Sequence, residues 1–298
     1  MAVTLMRQES GATWTDLADG REPSRVGELK DRDRAEVLEF LAANPVHTVF
    51  MASLVQDNGI ISSQNRGSFY GCRNRGGQLE GIALVGHATL IEARTKSSLA
   101  AFARMAGNCL NVKLIRGERQ TIDSFWKHYQ TNGEKPRMIC GELLLEQRKP
   151  LPQFEPVEEL RPATLHELDQ IMNVNAVMAL EEGGINPLEK DPTGFRQRIA
   201  RRIEQGRIWT LVQDGQMIFK ADIIAETPLA TYLEGIHVHP EQRSKGHGRR
   251  CLTQLARTLL ARSQSICLTL SQKNQQALSF YSKAGYRFNS HYETIYLR

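Results

Sequence analysis

From Tyr232 to Arg250 the chain reads YLEGIHVHPEQRSKGHGRR, and its cations and glycines are spaced to grip a diphosphate. Tyr232–Val238 carries aromatic and β-branched residues and predicts a strand. Pro240 removes a backbone donor and closes that strand. From Gly248 onward Leu252, Leu255, Ala256, Leu259 and Leu260 recur at helical spacing, with Arg249, Arg250, Arg257 and Arg262 around the other face. The first amides of a helix lack partners within it, and the peptide dipoles add partial positive charge there. Glycine lets the backbone approach a ligand. The amides from Arg243 through Ser244, Lys245, Gly246, His247 and Gly248 to Arg249, with the charges of Arg243, Lys245 and Arg249, therefore predict a phosphate or pyrophosphate site.

The spacing, Arg243-x-x-Gly246-x-Gly248, is neither the dinucleotide G-x-G-x-x-G nor a P-loop. Downstream, Ser265–Ser271 predicts a strand, followed by Asn274 and a helix over Gln275–Ala284. Ala277, Phe280, Tyr281 and Ala284 fall at i, i+3, i+4 and i+7, and Gly285 sits where a C-cap glycine is expected. The first motif resembles the R/Q-x-x-G-x-G/A of the GNAT (Gcn5-related) N-acetyltransferases. The second resembles their N-x-x-A-x-x-x-Y-x-x-x-G-F ending, with Tyr286 in place of the usual Phe. The two occur in the family's order.

The resemblance implies acetyl-CoA as cosubstrate, with no metal, and a primary amine as acceptor. It assigns the pantetheine arm and thioester oxygen to the backbone of Ile236, His237 and Val238, and the pyrophosphate to Arg243–Arg249. It also assigns a cofactor contact to Asn274 and the general acid to Tyr281. Glu234, just before the expected bulge, is the candidate base through water. Glu181 and Glu182 are candidates to bind a cationic amine. Plainer readings stand beside these. Tyr281 also fits a core position, Glu234 a strand-edge carboxylate, and Glu181–Glu182 an exposed acidic loop. His237 and His239 share one strand face at metal-ligand spacing, but no third ligand accompanies them. Met172, Met178 and Met217 read as core filler. Cys267 reads as inert, and Cys251, close to a helix start, as the cysteine whose thiol could be activated.

These residues need a scaffold, and the C-terminal half supplies the family's order. Leu160–Thr164 opens it, and Thr164 with Glu167 predicts a capped helix over Leu165–Ala179. Residues 181–187 read as a turn-rich loop, and Phe195–Glu204 as a basic amphipathic helix. Ile208–Gln213 and Met217–Ala225 form a hairpin about Asp214-Gly215. The N-terminal half runs helix, strands, helix, strand, helix, strand. It predicts a helix from Asp31 to Asn44 and leaves Val46–Leu54 open between strand and helix. It lacks R-x-x-G-x-G, and its nearest segment, Arg116–Arg119, carries an acid at the phosphate position. The layout resembles bacterial two-domain members with a degenerate GNAT-like N-terminal domain. The expected fold is thus α/β (α+β), with two tandem GNAT-like domains, each a mixed central sheet flanked by helices. The expected division is an extension over 1–25, a degenerate domain over 26–148, a linker over 149–156 holding Pro150, Pro152 and Pro156, and a catalytic domain over 157–298.

The totals agree with this reading. A chain of 298 residues accommodates two domains. Five scattered cysteines without C-x-x-C argue against a disulfide framework or a zinc site and fit a reducing cytoplasm. No apolar run reaches a membrane span, and the N-terminus shows no signal-peptide core. A net charge of +5 lacks the dense basic face of nucleic-acid binders. The competing reading is an acyl-CoA-binding regulator that keeps Arg243–Gly248 without turnover.

Overall fold

The computed structural model describes Thr15–Leu17 and residues 24–297, apart from 131–132, 134 and 153–154. The expected extension over 1–25 thus lies largely outside the described residues. The chain divides into two units, residues 1–142 with 291–298 and residues 143–290. The division falls before the proline-rich segment, and the last eight residues go to the N-terminal unit.

In the N-terminal unit, β1 (Thr15–Leu17) and β2 (Ser24–Glu28) precede α1 (Arg34–Ala42) and α2 (Pro45–Asn58). The ambiguous Val46–Leu54 is thus helix. Pro45 fits at the first helical position, where no donor is needed, and Val46, Val49 and Met51 are buried. β3 (Gly67–Arg73), β4 (Leu79–Gly86) and β5 (Ala88–Ala93) form an antiparallel meander. α3 (Lys96–Gly107) leads to β6 (Leu114–Glu118), which runs parallel to β5, and α4 (Arg119–Tyr129) follows. β7 (Met138–Gln147) crosses the division between the units.

In the C-terminal unit, β8 (Arg161–Pro162) precedes α5 (Leu168–Gly183), α6 (Pro187–Lys190) and α7 (Pro192–Glu204). The entry to α5 is fixed as the sequence implies. The Glu167 carboxylate accepts from the Thr164 amide at 2.6 Å and from Arg161 at 2.6 Å. The expected loop over 181–187 is corrected: α5 runs on through Gly183 and stops at Gly184, whose φ is +67°. β9 (Ile208–Gln213) and β10 (Gln216–Glu226) form the hairpin, with Asp214 and Gly215 both at positive φ. β11 (Thr231–Val238) pairs antiparallel with β10 and parallel with β12 (Ile266–Ser271). Between them runs α8 (His247–Leu260), which buries Leu252, Leu255, Ala256 and Leu259. α9 (Gln275–Lys283) follows, then β13 (Arg287–Tyr296), which crosses the division a second time.

Each unit therefore has a mixed sheet flanked by helices. The C-terminal part of β13 pairs antiparallel with β6 inside the N-terminal unit, where Ile295 and Leu297 join Phe102, Ile115 and Phe125 in the core. The core of the C-terminal unit is built from β10, β11, β12 and α8, with Tyr286 fully buried in it.

Candidate active site

The site begins as a defect in a strand. On β10 a single residue, Ala221, lies between Lys220 and Asp222. Their partners on β11 are His237 and Glu234, so Gly235 and Ile236 together oppose Ala221. This is a β-bulge, and it increases the local twist and takes backbone out of the ladder. Gly235 has φ +58°, and a Cβ there would stand 2.8 Å from the Lys220 Nζ, so glycine is required twice over. On its other edge β11 pairs with β12 at Thr231↔Ile266 and Tyr232↔Cys267. Both strands continue beyond these pairs, and Ile236, His237 and Val238 line a cleft of about 730 Å³.

The next wall is the strand-to-helix corner. Its two motif glycines do different work. Gly246 is the N-cap of α8 at φ +88°, with open space around it, so conformation demands it. Gly248 has no such φ, but a Cβ on it would stand 2.7 Å from Val238 Cγ2 and 3.3 Å from the Phe280 ring. Space demands that glycine. No side chain caps the start of α8, so its first-turn amides are left to a ligand or to water. Arg243 donates from Nε to the Val238 carbonyl at 3.2 Å, which ties the turn to the strand end. Arg243, Ser244, Gly246, Gly248 and Arg249 all line the cleft. Lys245 donates to Gln242 at 3.1 Å, and neither it nor His247 is in the lining. These features fit a diphosphate: donors without intrahelical partners, cations, and a surface that one methyl group would obstruct.

The same corner in the N-terminal unit is closed. The helix that follows the meander there is α3, not α4, so the corner is Arg94–Lys96 rather than the Arg116–Arg119 segment taken from the sequence. It holds no glycine. Thr95 Oγ1 accepts from the Ser98 amide at 3.1 Å, and the Arg94 guanidinium stands over the Phe40 ring at 4.1 Å.

α9 makes the third wall. Asn274 caps it, accepting from the Ala277 amide at 2.9 Å, and also lines the cleft. Tyr281 packs edge-on against Phe280 and Tyr286, at 5.1 and 5.8 Å between ring centroids, and lines the cleft as well. The core and site readings of Tyr281 are therefore compatible. Burial, then the Glu182 carboxylate, push its hydroxyl pKa well up, so it stays protonated. Burial, helped by Lys220, Arg243 and His239, pulls His237 down to about 4, so that imidazole is neutral near pH 7.

α5 supplies Met178 and Glu181 to the lining. Both acids, Glu181 and Glu182, are thus helical rather than in a loop. Met172 and Met217 are buried, as read from the sequence, but Met178 is not core filler. Glu234 is exposed and is not among the lining residues. Cys251 is fully buried, which pushes its thiol up to about 12, the opposite of activation. Among the described residues no group of three or more potential metal ligands occurs, and no helix is long and apolar enough to cross a membrane.

Sequence reasoning missed the α9 residues Gln276, Ser279 and Lys283, which line the cleft at helical spacing. It also missed Lys220 and Asp222, beneath the bulge. A lysine and an aspartate inside an otherwise apolar strand were the available signal.

Residues 213–295 match the family model described as FR47-like protein. No curated protein sequence matches the chain significantly. Among solved structures, a Drosophila protein superposes with a TM-score of 0.65 at 10% identity, covering 92% of this chain and 98% of its own. A GNAT-family acetyltransferase from Colwellia psychrerythraea gives 0.54 at 12%, covering 92% and 99%. A tandem GNAT protein of the clavulanic acid biosynthesis pathway also gives 0.54 at 12%, covering 91% and 98%. At such identities the likeness is one of fold.

Proposed function

We propose that the chain is a GNAT-type acyltransferase and that its C-terminal unit transfers an acetyl group from acetyl-CoA to a primary amine by direct attack on the thioester, a reading supported by the FR47-like match over residues 213–295 and by the fold it shares with GNAT structures. One observation carries the reading. A bulged strand, an uncapped glycine corner and a protonated tyrosine line a single cleft.

In this reading the amides and cations of Arg243–Arg249 hold the pyrophosphate, and Asn274 contacts the cosubstrate's arm. The backbone of Ile236–Val238 donates to the thioester oxygen as negative charge develops on it, usually a large catalytic contribution. Glu181 and Glu182 give the amine a negative surround. The amine nitrogen bonds to the carbonyl carbon and its proton leaves through water to Glu234. The carbon–sulfur bond then breaks, and Tyr281 gives its proton to the departing thiolate. The closed Arg94–Lys96 corner supports the view that the N-terminal unit is a degenerate repeat that binds no cosubstrate of its own.

An amine-panel assay following free thiol release tests the proposal, run beside CoA binding by calorimetry. Transfer to at least one amine, with CoA binding, is the expected result. Binding without turnover on any amine favours the acyl-CoA-binding regulator, and no binding at millimolar CoA rejects both.

A further inference from the structure

Beneath the bulge lies a charged group that the transfer mechanism leaves unused. Lys220 is fully buried and Asp222 is 2% exposed. The Lys220 Nζ donates to the Gly235 carbonyl at 2.7 Å and pairs with Asp222 Oδ1 at 2.8 Å. The second Asp222 oxygen accepts from Asn175 Nδ2 at 3.0 Å and faces Arg202 at 3.6 Å. Four elements therefore meet at one pair: β10, which carries it, the bulge on β11, the helix α5 that brings Glu181 to the cleft, and α7. A buried ion pair is weak evidence for stability, since apolar replacement of both partners is often neutral or stabilising. The contact with Gly235 gives a different reason for it. That carbonyl belongs to the bulge itself, the strand's departure from regular pairing, and the next three residues line the cleft.

We propose that Lys220 and Asp222 are positioning residues. Lys220 fixes the Gly235 carbonyl, which sets the direction of the following amides toward the thioester. Asp222, through Asn175, fixes the acceptor helix in the same register. The pair thus holds the acyl and amine sides of the reaction at their reacting distance. This rests on the acetyltransferase reading of the cleft.

The test uses the full-length chain and the charge-balanced double variant K220M/D222N, with Asn175→Ala in parallel. The hydrogen bonds and ion pairs of the pair among the described residues go to Gly235, Asn175 and Arg202 and none to Arg243–Arg249, so CoA affinity should stay within about twofold. Misplacement by about 1 Å costs roughly 10²-fold, so kcat should fall roughly ten- to a hundredfold, with KM for acetyl-CoA little changed. A purely structural pair predicts the reverse: a folded double variant with wild-type kcat, and that result overturns the inference while leaving the function standing. If K220M/D222N does not fold, Asn175→Ala decides in the same way, and its wild-type kcat overturns the inference. A wild-type protein that binds CoA but acetylates nothing overturns the function and this inference together.

Discussion

At the scale of single residues, Tyr281 and His237 make the sharpest claims. Tyr281→Phe keeps the ring contacts with Phe280 and Tyr286 and removes only the hydroxyl, and with it the proton donor. It should lower kcat by about 10²-fold or more while CoA affinity is retained, since positioned acids contribute at least that much. The raised pKa of Tyr281 means that this group adds no alkaline limb below the ordinary tyrosine value of 10.0. A pH–kcat profile checks it. His237 titrates in the opposite sense. Its folded value, about 4, lies below the ordinary 6.5, so between these values the unfolded chain binds the proton and the folded one does not. Its contribution to stability is complete above pH 6.5 and is lost as pH falls toward 4. His237→Gln should therefore flatten the fall in melting temperature over that window, and thermal melts at pH 7, 5.5 and 4.5 read it.

At the scale of elements, the strand-to-helix corner depends on two glycines for separate reasons, so their substitutions should differ. Gly246→Ala meets open space but forces alanine into the left-handed region, at about 1–2 kcal/mol. Gly248→Ala keeps an ordinary backbone but drives a methyl group against Val238 and Phe280, an overpacking cost of about 1–3 kcal/mol. Urea denaturation gives both losses. Acetyl-CoA affinity should suffer more in Gly248→Ala, because the clash pushes the first turn of α8 away from the β11 end that lines the cleft with it. A sequence reader can place both glycines in a motif. The distinction between them needs the φ of one and the neighbours of the other.

At the scale of the whole molecule, the assignment of residues 291–298 to the N-terminal unit has a direct consequence. Ile295 is 1% exposed in that unit's core. Ile295→Ala should cost the N-terminal unit about 2–5 kcal/mol. The cleft lies wholly in residues 143–290, so CoA binding should survive the substitution under native conditions. Urea unfolding followed in parallel with CoA titration separates the two effects.

Local patterns were legible in the sequence because their causes are local. The α8 face, the Thr164–Glu167 cap, the Asp214-Gly215 hairpin and the corner at Arg243–Gly248 each follow from side-chain spacing and backbone preference within a few residues. The α2 helix and the extension of α5 past Ala179 to Gly183 were not, because an apolar run and a glycine pair suit two conformations equally until packing chooses. Tertiary structure alone decided three further matters. It packed Val238 and Phe280 about one strand-to-helix corner and set Arg94 of its counterpart over Phe40, it set Lys220 under the bulge, and it assigned the last strand's end to the first unit. Each joins residues far apart in the chain, and such pairings depend on which surfaces bury one another rather than on any periodicity along the sequence.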